Sequence, residues 1–211
     1  MHLFATELGC TRAGRPVFAG VSFAVRGGEA LAVIGPNGAG KTSLLRMIAG
    51  LVPVAAGRLA LEGGSPDLTP GEQAHYLGHQ DAAKGALSVG ENLRFWTSYL
   101  GGRNKCAALA ALDLQSLADI PAAYLSAGQR RKLSVARLIA VPRPIWLLDE
   151  PNAALDAATQ SLLSNLMRDH LGGGGMIIAA THGPLGIKAA HELRLGDIQG
   201  GAVPQSAGAN A

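Results

Sequence analysis

The chain has 211 residues, 48% of them hydrophobic and 16% charged, with a formal net charge of +3 at pH 7. That length suits one domain with a sizeable core, and that composition argues against disorder. So mild a charge, with aromatics at only 4%, argues against a nucleic-acid binder built on a basic patch or a base-stacking platform.

In chain order, residues 1–30 read as short strands separated by turns. The alternating stretch 21–25 ends at Arg26-Gly27-Gly28. Residues 29–34 form a buried strand that runs into a Gly-rich loop, and a helix follows over 41–49. Residues 57–64 and 75–79 read as further short strands. From about 84 to 140 the spacing becomes helical, in stretches around 92–100, 106–117 and from about 126. Strands return at 144–149 and 176–180, with a helix over 156–170 between them. Strands alternating with helices predict an α/β core with a mainly parallel sheet and an inserted helical part at about 84–140. Residues 1–200 are expected to be one domain, and the Gly/Ala/Ser-rich 201–211 a flexible tail.

The start of the chain shows no basic region followed by an apolar stretch, so no secretion signal is expected. The longest apolar runs, 145–148 and 176–180, fall far short of the ~20 residues that span a bilayer. Cys10 and Cys106 have no paired spacing, which suits a reduced, cytosolic protein. Membrane work would therefore need another chain to bring this one there.

The chemistry sits in ordered motifs. Gly35, Pro36, Asn37, Gly38, Ala39, Gly40, Lys41 and Thr42 match the P-loop pattern, with Ser43 next to it. Its glycines let backbone N–H groups curl around phosphate oxygens, and the following helix turns its positive end to the same anion. Lys41 would reach the β- and γ-phosphates, and the Thr42 hydroxyl would ligate Mg²⁺. The apolar strand 145–148 ends in Asp149 and Glu150, at the edge where α/β folds bind ligands. Asp149 would hold Mg²⁺, and Glu150 would polarise an attacking water.

Those two motifs leave the P-loop families open; a third separates them. Residues 125–129 read Leu-Ser-Ala-Gly-Gln and closely resemble the signature of the ABC ATPases. The resemblance spans about Leu3 to Leu195. It implies an ABC ATPase fold: an α/β P-loop NTPase domain with a mixed or parallel sheet core, an N-terminal antiparallel β part and an inserted helical subdomain. It implies that Ser126, Gly128 and Gln129 contact ATP held by a second copy, in a homodimer. It gives Gln80 the place of the Q-loop glutamine, which senses Mg²⁺ and the membrane partner. Residues 152–156, ending in Asp156, resemble the D-loop, and His182 resembles the H-switch histidine, counted with Lys41 and Glu150 as catalytic. ATP and Mg²⁺ are the implied cofactors. Integral membrane permease subunits are the implied partners, nucleic acid is not one, and the implied place is peripheral, on the cytoplasmic face of the inner membrane.

Three departures from the family pattern stand out. Arg12 occupies the place of the aromatic that stacks on adenine, though a guanidinium also stacks on a π face. Asn152 opens the D-loop, where Ser is more usual, and Asp81 stands where proline is expected. Within the family, the short chain, Tyr76-Leu-Gly-His-Gln80, the segment 88–96 and Ala127 in the signature resemble the ATPase of the haem exporter of cytochrome c maturation. The alternatives are another small-molecule transporter's ATPase, a soluble ABC protein and a P-loop kinase. The kinase would leave residues 125–129 and His182 unexplained. His75, His79 and Cys106 invite a haem-ligand reading, but a histidine inside a short strand is more often packed or hydrogen-bonded.

Overall fold

The computed structural model describes residues 1–79, 81–101, 105–153, 155–189 and 191–196, with nothing of the side chains of 105 and 106. Strands β1 (His2–Arg12), β2 (Arg15–Arg26) and β3 (Ala30–Ile34) lead into helix α1 (Lys41–Ile48). Strands β4 (Ala56–Glu62) and β5 (Ala74–Leu77) precede three helices, α2 (Val89–Leu100), α3 (Lys105–Ala111) and α4 (Ala127–Ala140). Then come β6 (Ile145–Asp149), α5 (Ala157–Gly172), β7 (Met176–Ala180) and β8 (His191–Arg194). The N-terminal strands are two long ones rather than several short ones. Their pairing shifts register at three places along β1, so the bulges that interrupt the sequence alternation bend the strands without ending them.

Two sheets result. The antiparallel one has the order β2-β1-β4, and the parallel one β5-β6-β7-β3-β8. Strands β6 and β7 are buried at every residue, as parallel strands covered on both faces must be. The period of two divides them. Ile145, Leu147, Met176 and Ile178 face one apolar cluster with Leu44, Leu45, Met47 and Ile48 of α1 and Leu3, Leu8, Val21 and Val25 of the antiparallel sheet. Trp146, Leu148, Ile177 and Ala179 face the other, with Leu163 and Met167 of α5 and Leu133, Val135 and Ala136 of α4. Helix α1 thus lies between the two sheets, and the remaining helices cover the opposite face. Each fully buried leucine contributes about 1.5–3 kcal/mol relative to exposure.

The helical segment joins the second cluster directly, since Leu93, Leu112 and Leu114 belong to it. Helix α2 starts at a capping box formed by Ser88 and Glu91 and stops at Gly101 in the left-handed region. Buried Asn92 accepts a hydrogen bond from Lys84 N at 2.7 Å and donates to the Lys84, Leu87 and Ser88 carbonyls, which shapes the approach to the helix. The expected stretch 106–117 is shorter as a helix. Asp113 takes φ 55, which breaks it, and only a 3₁₀ turn, Gln115–Leu117, continues. The Gly/Ala/Ser-rich 201–211 lies outside the described residues.

Candidate nucleotide site

The C-terminal ends of β3, β6 and β7 meet at one edge of the parallel sheet. After β3 the chain turns through residues 35–40 into α1. At Gly40, φ is 99, and a Cβ there would meet Val17 Cγ1 at 2.7 Å and Phe18 Cδ1 at 2.8 Å. A Cβ on Gly35, which has φ 144, would run into the Leu195 carbonyl. Both glycines are therefore required by close approach as well as by backbone conformation. Helix α1 has no side-chain cap and no acidic residue in its first turn, so its positive end stays open to an anion.

Lys41 lies inside this loop. Its Nζ donates to Gly35 O at 2.8 Å and Pro36 O at 3.0 Å, and sits 3.1 Å from His182 Nε2. Thr42 Oγ1 donates to Asp149 Oδ2 at 2.9 Å. Glu150 follows with φ 49. Its N–H donates to Ala180 O at 2.9 Å, and its Oε1 lies 3.7 Å from His182 Nε2. His182 is set by a tight turn in which Thr181 Oγ1 donates to Gly183 O at 2.9 Å and accepts from Gly183 N at 3.1 Å. Asn37, Gly38, Lys41, Thr42, Ser43, Asp149, Glu150 and His182 line one open cavity of about 460 Å³, with Val17 and His79.

A hydroxyl and a buried carboxylate, 2.9 Å apart, are hard oxygen donors suited to a small divalent cation. Among the described residues no group of three or more His, Cys, Asp or Glu forms a metal site. A cation here would share its shell with phosphate oxygens, which is how Mg²⁺ is commonly held beside a nucleotide.

The contact of Tyr76 with the carboxylate of β6 was not legible in the sequence. Tyr76 OH donates to Asp149 Oδ2 at 3.4 Å and accepts from Arg46 Nε at 3.2 Å. Burial pushes the Tyr76 phenol up, while Arg46 opposes that rise. Arg12 lines a neighbouring cavity of about 370 Å³ with Arg46, Leu51, Tyr76 and His79, and Val17 is the hairpin side chain on the wall of the P-loop cavity. His75 is 2% exposed and its Nε2 lies 2.7 Å from Val141 O, which is the packed role the strand position suggested. His79 is exposed at the cavity rim. Gln80 and the Cys106 side chain lie outside the described residues. A second cavity of about 460 Å³, at the opposite end of the sheet beside Trp146 and His170, has no phosphate cradle.

Ser126, Gly128 and Gln129 do not line the P-loop cavity. They cap α4: Ser126 Oγ accepts from Gln129 N at 3.2 Å, and Gln129 Oε1 accepts from Ser126 N at 2.9 Å. Asp156 caps α5, accepting from Thr159 N at 2.7 Å.

A P-loop, a hydroxyl–carboxylate pair and a carboxylate beside a histidine, all at one sheet edge, define a P-loop nucleoside triphosphatase. The family model for the ABC transporter matches residues 18–153, and the chain belongs to that family as an ATP-binding, ATP-hydrolysing subunit that works with membrane partner subunits. The chain is 59% identical over 198 residues to the cytochrome c biogenesis ATP-binding export protein CcmA of Nitrobacter winogradskyi, covering 93% of this chain and 98% of that one. Identity to the protein of the same name from Rhodopseudomonas palustris is 60% over 198 residues, with the same shares. The Bradyrhizobium diazoefficiens protein of that name is 58% identical over 200 residues, covering 94% of this chain and 100% of that one. Among solved structures, an ATP-binding subunit of an ABC transporter superposes with TM-score 0.79 at 25% identity, covering 86% of this chain and 80% of that one. A putative ABC transporter ATP-binding protein from Pyrococcus furiosus, at 22% identity, TM-score 0.77 and coverage of 92% and 98%, shares the fold.

Proposed function

We propose that this chain hydrolyses ATP to power the haem-export step of cytochrome c maturation. The observation that carries the ATPase reading is the convergence of Lys41, Thr42, Asp149, Glu150 and His182 on one cavity. Backbone N–H groups of the loop 35–42, Pro36 having none to give, and the Lys41 ammonium bind the phosphates, so ATP draws Lys41 away from Gly35 O, Pro36 O and His182. Thr42 and Asp149, together with Gln80, would hold Mg²⁺, which would supply positive charge to offset that of the phosphates. The Glu150 carboxylate polarises the attacking water. His182, within reach of both Lys41 and Glu150, steadies the γ-phosphate and the water-activating carboxylate.

The signature residues act in trans. Ser126, Gly128 and Gln129 stand at the start of α4, away from their own chain's cavity, and present a helix N-terminus to ATP on a second copy. A two-fold contact lets each copy supply both halves, and Asp156 belongs to the same contact. No helix among the described residues is long and apolar enough to cross a membrane. The chain sits on the cytoplasmic face of the inner membrane through permease subunits, which dock on the helical segment. Phe95 and Tyr99, exposed by 40% and 74%, are the apolar anchors. Trp96, between them in the sequence, is half-buried under the Arg137 guanidinium at 4.6 Å.

The haem cargo rests on the likeness to the cytochrome c biogenesis export proteins. A strain carrying Lys41→Ala should lack covalent-haem cytochromes and keep b-type ones. Normal c-type cytochromes in a clean deletion strain without a second gene copy would leave another small molecule as cargo.

A further inference from the structure

Arg131 is a buried cation on α4 that the reaction described above does not use. It is 3% exposed. Its Nη1 donates to Gly78 O at 2.7 Å, and its Nη2 to Glu150 O at 2.9 Å and Asp149 O at 3.3 Å. Asp81 Oδ1 lies 3.7 Å from Nη1 and accepts from Ser134 Oγ at 3.1 Å. One side chain therefore joins the first turns of α4, the segment after β5 and the end of β6. Asp81, the residue found where proline was expected, is its counterion.

Glu150 needs such a partner. With φ 49 it occupies the left-handed region, which is unfavourable for a residue with a Cβ. A backbone held there must be fixed from outside. The Glu150 N–H donates to Ala180 O at 2.9 Å, and its carbonyl accepts from the Ala153 N–H of its own turn at 3.1 Å and, from outside that turn, from Arg131 Nη2 at 2.9 Å. With both sides of the residue held, the carboxylate is aimed at the cavity and lies 3.7 Å from His182. We propose that Arg131 is the positioning residue for Glu150, holding the water-polarising carboxylate in its aim and tying that aim to the placement of α4. The inference rests on the reading of Glu150 given above. It adds a mechanical link, because α4 also begins with Ser126, Gly128 and Gln129. A shift of α4 on dimer closure would reach Glu150 through one guanidinium.

A double-mutant cycle in the transporter complex, purified with its membrane subunits, separates positioning from general support of the fold. The measurements are kcat, KM and Kd for ATP, melting temperature, and single-turnover rates on slow variants. Arg131→Gln should lower kcat by roughly ten- to a hundredfold, the scale of a misplaced reacting group, with KM and Kd changed by less than about twofold. Added to Glu150→Gln, the same substitution should change the residual rate by less than about twofold, since the group it aims is gone. Arg131→Lys keeps the charge beside Asp81 but offers one donor atom instead of a fork, and should fall between the parent and Arg131→Gln. If Arg131→Gln does not fold, the cycle with Arg131→Lys decides. A parental kcat in the Arg131 variant, or an equal loss with and without Glu150→Gln, overturns the proposal. Parental hydrolysis by Glu150→Gln alone would instead remove the reading of Glu150 on which the proposal stands.

Discussion

The acid limb of stability should carry the signature of His75. Its ring is 2% exposed in β5, and burial, helped by the Arg137, Arg143 and His170 charges, drives its pKa from 6.5 down to about 3 against the opposing Val141 hydrogen bond. Below pH 6.5 the unfolded chain takes up a proton there that the folded chain refuses. Stability from this group is therefore complete above pH 6.5 and declines as the pH falls toward 3, by about 1.4 kcal/mol per unit and about 5 kcal/mol in all. Between pH 7 and pH 5 the loss is about 2 kcal/mol, from the shift between 6.5 and about 3. His75→Gln keeps an N–H donor for Val141 O and removes the titration. Urea unfolding of both proteins at pH 7 and pH 5 measures the difference. The parent should lose about 2 kcal/mol more than the variant over that interval. Equal losses would refute the reasoning. His170, also held low by burial, is present in both proteins, so its burial is common to the two.

Glu150→Gln should bind ATP, hydrolyse it very slowly and trap an ATP-dependent head-to-tail dimer. Sedimentation with ATP and the membrane partner reads this, and a species that stays monomeric would sink the trans-acting signature. Discrimination between ATP and GTP should be weak, within about tenfold. No Phe, Tyr or Trp lines the cavity among the described residues, and stacking by Arg12, were it to swing over, supplies only ~0.5–2 kcal/mol without reading base edges. Competition binding with a thousandfold preference for ATP would reveal an adenine pocket that these residues do not form.

Local order in the sequence was enough for the phosphate cradle, because its parts are contiguous: a buried strand, a loop of required glycines and a helix N-terminus are one stretch of chain from 29 to 48. The carboxylate pair was legible for the same reason, as the end of an apolar run at 145–148. Periodicity also placed α4, whose Ser126–Gln129 capping box marks its start, and β7, whose bounds match the apolar run 176–180. It failed where the backbone bends without a compositional break, as in the bulged strands β1 and β2, and where one residue leaves the helical region, as at Asp113. Tertiary structure alone decided what stands beside what. Tyr76 meets Asp149 only because β5 pairs with β6. Arg131 reaches Glu150 only because α4 packs across the end of that pair, 19 residues earlier in the chain. Val17 reaches the P-loop only because the β1–β2 hairpin folds over α1. Such contacts depend on strand order and helix crossing, which arise from burying two faces of one sheet at once, and no local pattern of residues encodes them.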